Sequence, residues 1–282
     1  MFNRFRKINN VNLFYREAGN RKNPTIVLLH GYPSSSSMFR TIIPTLAEHF
    51  HVLAPDFPGF GFTESPALES FEYSFDSIAN TVNLWLEKLE IETYFLCMQD
   101  YGAPIGFRIA QGAPEKVLGL IVQNGNAYQE GLTEAWAGIQ KYWQDKSTDN
   151  ANALLELCSP DFIQHMYING TSNPEAIAPE SWTLDSHFLA SEVRQAIQIE
   201  LFHNYQTNVE NYPLWQDYFR THQPATLVVW GLNDMFFSKV GAESFKKDLD
   251  NIEYHYYNTG HFALEEFGQE ISQEIVNFCK NQ

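Results

Sequence analysis

Short apolar runs recur along the chain and alternate with segments whose apolar residues have helical spacing. Such runs are typical of strands buried in a sheet. They predict strands at 11–16, 25–30, 51–55, 94–96, 118–123, 226–231 and 253–257. Helical spacing predicts helices over 75–89 and 264–279, and we expect the first strand to be antiparallel. Strands that alternate with helices predict an α/β fold with a mostly parallel sheet flanked by helices.

Residues 125–222 interrupt this alternation. The segment is helical by pattern, rich in Tyr, Trp and Asn, and contains no clear buried strand. We therefore predict a core domain formed by 1–124 and 223–282. The helical segment 125–222 would be a cap, or lid, inserted after a core strand.

The charge and composition exclude several classes of function. The chain has 282 residues, of which 44% are hydrophobic, and a formal net charge of -16. Such a surface repels phosphates and anionic lipids, which argues against nucleic-acid or membrane-surface binding. The three cysteines, Cys97, Cys158 and Cys279, have neither disulfide-like nor metal-like spacing. Without a signal-peptide pattern or a spanning apolar run, we expect a cytoplasmic protein.

Asp100 stands between the predicted strand at 94–96 and a small-residue helix pattern that begins at Gly102. This is the place of the nucleophile elbow, a sharp turn that lifts one side chain above the sheet. A carboxylate attacks ester carbonyls poorly, because the product is an anhydride. It attacks a saturated carbon that carries a leaving group and forms an alkyl-enzyme ester. The alternative is a helix N-cap. Met98 replaces the glycine of many elbows, which indicates a different approach of strand and helix.

His261 and Asp234 complete the chain order nucleophile, acid, histidine. His261 follows the last predicted strand, after Gly260, and we expect it to be the general base. Asp234 follows the strand at 226–231 and would orient the histidine. The alternatives are an exposed loop histidine and a turn-forming aspartate. The segment 123–126, which follows the preceding predicted strand, has no carboxylate that could replace Asp234.

The turn His30-Gly31-Tyr32-Pro33 is the predicted oxyanion hole. Gly31 and Pro33 would shape the turn so that the Tyr32 N–H faces the site, and the Tyr101 N–H would be the second donor. An ordinary turn is the alternative.

For the leaving group, we expect a donor from the predicted cap. Tyr205 is the preferred donor, and Tyr167 and Tyr128 are weaker candidates. Packing in the core or cap is the alternative for each tyrosine. The cap tryptophans would form an apolar pocket, although any could present an indole N–H: Trp136, Trp143, Trp182 and Trp215.

Several motifs together resemble the α/β-hydrolase superfamily, and specifically its branch of epoxide hydrolases and haloalkane dehalogenases. The resemblance covers nearly the whole chain and rests on segments 14–19, 30–33, 56–61, 99–102 and 259–265. It implies an α/β-hydrolase fold, with Asp100 specific for the branch. The 56–61 glycines would be structural.

The two activities of this branch differ in how the leaving group is held. Dehalogenases typically hold halide with a tryptophan after the nucleophile, where this chain has Tyr101. Epoxide hydrolases typically have a His-Gly-X-Pro turn, as here, and cap tyrosines, whereas Gln99 is more dehalogenase-like. The resemblance therefore implies an epoxide hydrolase, with a haloalkane dehalogenase as the alternative and a non-catalytic ligand or partner binder as the second. We expect a small to mid-sized apolar substrate and water, with no metal or cofactor, and leave the oligomeric state open.

Overall fold

The computed structural model describes residues 1–282. Its centre is one sheet of eight strands in the order β1-β2-β4-β3-β5-β6-β7-β8. The strands are β1 Phe2–Ile8, β2 Val11–Ala18, β3 Thr25–Leu29, β4 His51–Pro55, β5 Tyr94–Gln99, β6 Val117–Gln123, β7 Thr226–Gly231 and β8 Ile252–Tyr257.

The strand pairing confirms the predicted fold class. The strands β4, β3, β5, β6, β7 and β8 are parallel, whereas β1 and β2 join them as an antiparallel edge. Every residue of β3, β4, β5 and β7 is buried. This burial explains the continuous apolar runs, because helices cover a parallel sheet on both faces.

Helices flank the sheet, with α1 packed against α11 and α2 against α3. The helices are α1 Ile43–Ala47, α2 Phe75–Lys88, α3 Gly102–Gly112, α4 Ala137–Gln144, α5 Thr148–Leu154, α6 Pro160–Ile168, α7 Pro179–Leu189, α8 Glu192–Asn204, α9 Gln206–His222, α10 Lys239–Ser244 and α11 Ala263–Lys280. None combines the length and the apolar character that crossing a bilayer requires.

Between β6 and β7 the chain forms helices, from α4 to α9, and no strand of the sheet. We call residues 124–225 the helical insertion. It starts where β6 ends at the carboxyl edge of the sheet, so it can reach the loops that follow the parallel strands. That 125–222 behaves as a separate cap stays a prediction.

Strand β1 is absent from the predicted elements. It pairs along its whole length with β2, from Phe2 opposite Glu17 to Ile8 opposite Val11. Residues 2–7 are all exposed, including Phe2 and Phe5. An edge strand without a buried face has no apolar alternation, which is the signal on which a strand prediction depends.

Candidate active site

Asp100 occupies the sharp turn between β5 and α3. Its φ of 49° lies in the left-handed region, which Asp tolerates better than most residues but which still stores strain of order 1–3 kcal/mol. The side chain makes no cap hydrogen bond to α3, whose N-cap residue is Tyr101. The structure thus places the carboxylate above the sheet rather than on the helix end.

The elbow accommodates Met98 through a glycine on the facing helix. A Cβ atom at Gly106 would lie 2.1 Å from the Met98 sulfur. Met98 and Gly106 are in contact, and because Gly106 has no side chain, α3 leaves room for the methionine on β5. This pairing gives a physical account of the departure at position 98.

The other members of the predicted triad lie beside Asp100, at the ends of β7 and β8. The Nδ1–H of His261 donates to Asp234 Oδ2 at 2.8 Å, and His261 Nε2 lies 3.9 Å from Asp100 Oδ2. All three side chains are buried. The gap between the imidazole and Asp100 exceeds a hydrogen bond, so Asp100 and His261 are close but not paired.

Asn124 fixes the orientation of Asp234, a role that the sequence did not reveal. Its amide donates to Asp234 Oδ2 at 2.8 Å and its Oδ1 accepts from the Gly231 N–H at 2.9 Å. The Phe236 N–H donates to Asp234 Oδ1 at 2.7 Å. The segment after β6, which lacks a carboxylate, therefore supplies an amide to the acid instead.

Gln99 is a second contact missed at the sequence level. This last residue of β5 is fully buried, and its Nε2 lies 2.8 Å from His261 Nε2. Its Oε1 has no hydrogen-bond partner. Side chains of β5 point alternately to the two faces of the sheet, so the sequence did not indicate which residues Gln99 contacts. Its position beside the elbow was the one indication of this contact.

Burial and neighbouring charges set the ionisation of the site. Burial raises the pKa of Asp100 to about 6, although the His261 charge and the N–H groups of Tyr32 and Tyr101 act to lower it. For His261, burial lowers the pKa, but the Asp234 charge and hydrogen bond together with the Asp100 charge outweigh it, and the pKa is raised. At pH 7, Asp100 is mostly ionised.

The predicted oxyanion groups surround the Asp100 carboxylate. The Tyr32 N–H donates to Asp100 Oδ1 at 2.7 Å. The Tyr101 N–H is the second backbone group that stabilises its charge. These amides can therefore polarise the carbonyl of an ester formed on Asp100.

A small cavity of about 30 Å³ adjoins Asp100. The core contributes Tyr32, Asp100, Tyr101 and Phe236 to its wall. The helical insertion contributes six apolar side chains: Trp136, Ile139, Leu157, Phe162, Met166 and Phe202. Asp100 is the one charged group on the wall, so the cavity suits a small neutral molecule that presents a carbon to the carboxylate.

The predicted leaving-group donors do not line this cavity. Tyr205 lies behind the wall, with its ring 4.4 Å from that of Trp136 and its hydroxyl beside that of Tyr212. Tyr167 donates to Asp185 Oδ2 at 2.5 Å, and Tyr128 to Asp248 Oδ2 at 2.7 Å. None of these three tyrosines therefore lines the cavity, although burial, with a smaller contribution from the Asp100 charge, raises the pKa of Tyr205. Their catalytic role stays a prediction.

Among the predicted cap tryptophans, Trp136 alone lines the cavity. Its Nε1–H donates to the Phe236 carbonyl at 3.0 Å, and that of Trp143 to the Phe202 carbonyl at 2.7 Å. Both indole donors are thus occupied by backbone. The remaining two, Trp182 and Trp215, pack against aromatic rings: Tyr167 for Trp182, and Phe107 and Tyr212 for Trp215.

Side chains able to hold a metal ion meet at one place, where Glu253, His255 and Glu274 lie together on β8 and α11. The His255 Nε2 is 2.6 Å from Glu253 Oε1. A hydrogen bond between the His255 ring and Glu253 at the surface accounts for this cluster.

Comparison with known proteins places the chain among relatives of the same fold. The sequence model of the alpha/beta hydrolase fold family matches residues 24–267. An uncharacterised hydrolase of Saccharomyces cerevisiae is 43% identical, over 99% of this chain and 98% of the yeast protein. A haloalkane dehalogenase of Mycolicibacterium paratuberculosis is 40% identical over 114 residues, which span 40% of this chain and 38% of the relative.

Solved structures agree in fold. A haloalkane dehalogenase from Bradyrhizobium elkani superposes with a TM-score of 0.84 at 19% identity, over 99% of this chain and 98% of that one. The epoxide hydrolase CorEH gives 0.80 at 19% identity, over 99% of each chain. At such identity the likeness concerns the fold alone. Because the family model covers most of the chain and the yeast relative is similar along its whole length, the chain belongs to the α/β-hydrolase fold family, as its motifs predicted.

Proposed function

We propose that the protein is a hydrolase that opens small, neutral epoxides through an ester between Asp100 and a substrate carbon. The observation that carries this proposal is the elbow carboxylate itself. It accepts the Tyr32 N–H at 2.7 Å and lies 3.9 Å from a histidine that a second carboxylate orients. Attack on a saturated carbon gives a stable ester that water can hydrolyse, whereas attack on a carbonyl gives an anhydride.

The reaction has two steps. In the first, Asp100 attacks an epoxide carbon and the bond from that carbon to the ring oxygen breaks. In the second, His261, oriented by Asp234, takes a proton from water, and the water oxygen attacks the ester carbonyl at Asp100. The Tyr32 and Tyr101 amides stabilise the oxyanion of the tetrahedral intermediate.

The cavity supports the choice of substrate class. Its volume of about 30 Å³ holds little more than one or two water molecules. A larger epoxide requires the helical insertion to yield, for example at Phe202 or Met166. The wall offers no cation for a carboxylate or phosphate, so charged substrates are disfavoured. Beyond the substrate and water, the proposed reaction needs no cofactor or other partner, and we propose that it takes place in the cytoplasm.

Haloalkane dehalogenation is the alternative. Curated relatives bearing that name match part of the chain, and the same ester chemistry would apply. Against it, the Trp136 indole, which is the halide donor type on the wall, already donates to a backbone carbonyl. A non-catalytic ligand or partner binder is the second alternative, but a binder has no use for a buried triad.

The test is to trap the ester. His261→Gln should still form the ester but not hydrolyse it, so terminal epoxides should add their whole mass to the peptide that contains Asp100. Asp100→Asn should gain no mass. Adducts from 1-bromoalkanes alone, with halide release, would favour the dehalogenase. Absence of any adduct from both classes would favour the binder.

A further inference from the structure

One hydroxyl on the cavity wall has no hydrogen-bond partner. Of the wall's polar side-chain donors, the Tyr32 hydroxyl donates to the Leu157 carbonyl at 2.8 Å, and the Trp136 indole is also engaged with backbone. The Tyr101 hydroxyl is buried and unpaired. The Tyr205 hydroxyl is unpaired as well, but Tyr205 does not line the cavity. The Tyr101 hydroxyl is therefore the unpaired donor that belongs to a wall residue, and it is free to serve a ligand.

The Tyr101 ring is held in place by aromatic neighbours. Its centroid is 4.9 Å from that of Phe75 in an edge-to-face arrangement, 6.0 Å from Tyr32 and 5.8 Å from Tyr205. Tyr101 follows Asp100 directly in sequence. These contacts fix the ring in the wall of the cavity that Asp100 also lines, before any substrate enters.

The surroundings keep this phenol protonated. Burial, first, and then the nearby Asp100 and Cys158 groups raise the pKa of Tyr101 well above its usual value. Burial and, to a smaller extent, the Asp100 charge raise the pKa of Tyr205 as well, so what distinguishes Tyr101 is that it lines the cavity and Tyr205 does not. A protonated phenol is a donor that is ready for an oxygen on which negative charge develops.

We propose that the Tyr101 hydroxyl, rather than a tyrosine of the helical insertion, is the catalytic acid for the leaving oxygen, which rests on the ester mechanism proposed above. An alkoxide is about as basic as hydroxide, and therefore far more basic than a phenolate. A phenol can therefore hand its proton over completely, which an indole cannot. A departing halide needs no proton, so this wall fits an oxygen leaving group.

The proton balance closes over the two steps. Asp100 bonds to carbon, the carbon–oxygen bond breaks, and the ring oxygen takes the Tyr101 proton. Water then gives one proton to His261 and its oxygen to the Asp100 carbonyl. When the ester breaks, the released oxygen takes the proton from His261. The proton that remains on the Asp100 carboxyl returns to the Tyr101 phenolate.

The experiment measures ester formation alone, by quenched-flow mass spectrometry in the His261→Gln background. Tyr101→Phe removes the hydroxyl but keeps the ring and the backbone N–H. It should slow ester formation from a terminal epoxide by roughly 10²–10⁴-fold, the usual worth of general acid catalysis. With a 1-iodoalkane the loss should be below about 5-fold, because iodide leaves without a proton. Tyr212→Phe, which removes a buried hydroxyl that accepts from Asn126, is the control for folding.

Each outcome bears on the proposal. Tyr205→Phe tests the rival phenol, and a larger loss there than at Tyr101 would overturn the assignment. Equal losses for epoxide and iodoalkane in Tyr101→Phe would indicate a packing role and overturn it too. If His261→Gln itself forms no ester from any substrate, the proposed function fails first, and that result is distinct from a failure confined to Tyr101→Phe.

Discussion

The side-chain amide of Gln99 lies 2.8 Å from His261 Nε2, the nitrogen that receives the proton of the hydrolytic water in the proposed mechanism. The other ring nitrogen donates to Asp234. With Nδ1 protonated, Nε2 of the neutral ring accepts from the Gln99 N–H. This contact orients the ring and, like burial, favours its neutral form, whereas the charges of Asp234 and Asp100 raise the pKa of His261.

Replacing Gln99 by leucine should raise the pKa of His261 in the ester form. The Gln99 N–H stabilises only the neutral ring, and a hydrogen bond of about 1 kcal/mol corresponds to roughly 0.7 pH units. The acid limb of ester hydrolysis should move upward by about 0.5–1 pH unit, measured as the decay of the Asp100 adduct in single turnover. Gln123→Leu changes a buried amide without a bond to His261 and is the matched control. Identical pH profiles for both variants would refute this role of Gln99.

Ester formation should depend on pH through Asp100 itself. The attacking form is the carboxylate, which predominates above the raised pKa of about 6, so the rate is retained above this pH and lost below it. At pH 5 we expect roughly a tenth of the rate at pH 8. Because the His261 charge lowers the pKa of Asp100, His261→Gln should shift this limb upward. A rate that stays flat from pH 8 to pH 5 would be inconsistent with Asp100 as nucleophile.

Gly31 should tolerate no side chain. A Cβ atom there would lie 2.3 Å from Asp100 Cβ and 2.4 Å from Asp100 Oδ1. Gly31→Ala must therefore displace the nucleophile or the oxyanion turn, and ester formation should fall by roughly 10²-fold or more, as expected for misplacement of about 1 Å. Gly112→Ala, with nothing within 4 Å of the new atom, is the control and should keep its rate. Near-normal ester formation in Gly31→Ala would contradict the geometry.

A second buried carboxyl should shape the pH dependence of stability. Burial raises the pKa of Asp185 to about 7, with Tyr167, Ser34 and Arg40 acting to lower it and Glu265 to raise it. Folding favours the protonated form of Asp185. The free energy of unfolding should therefore be highest at low pH and should fall as the pH rises from about 4 to 7.

Asp185→Asn should therefore remove this dependence. The asparagine stays neutral, so the variant should gain stability over wild type at pH 8, by up to an order of 4 kcal/mol, but not at pH 4. Chemical denaturation at the two pH values measures the difference. The Tyr167 hydroxyl can still donate to the amide oxygen. A gain that is equal at both pH values would show that ionisation is not the cause.

Backbone chemistry made part of this site predictable. Asp100, Asp234 and His261 each follow a strand in the parallel sheet, and carboxyl ends of parallel strands share one edge, so chain order alone predicted that they meet. The glycine turn at Tyr32 belongs to the same edge. The residue types at these positions were therefore enough to predict the fold and the proximity of the three side chains.

Side-chain direction was not predictable in the same way. Tyr205 and Tyr101 both lie near Asp100. The packing of the helical insertion determines that Tyr101 lines the cavity and that Tyr205 does not. Asn124 and Gln99 contact residues that follow other strands. Such contacts cannot be predicted from the spacing of residues along the sequence. The sequence did not predict the exposed strand β1 for a different reason, because this strand lacks a buried face.

The most direct measurement uses a single turnover of excess enzyme with a terminal epoxide in water labelled with oxygen-18. If water attacks the carbonyl of an ester on Asp100, one labelled oxygen enters that side chain, and mass spectrometry of the peptide containing Asp100 should show a gain of about 2 Da. Labelled diol together with an unlabelled Asp100 would mean that water attacked the epoxide directly, and it would contradict the covalent mechanism.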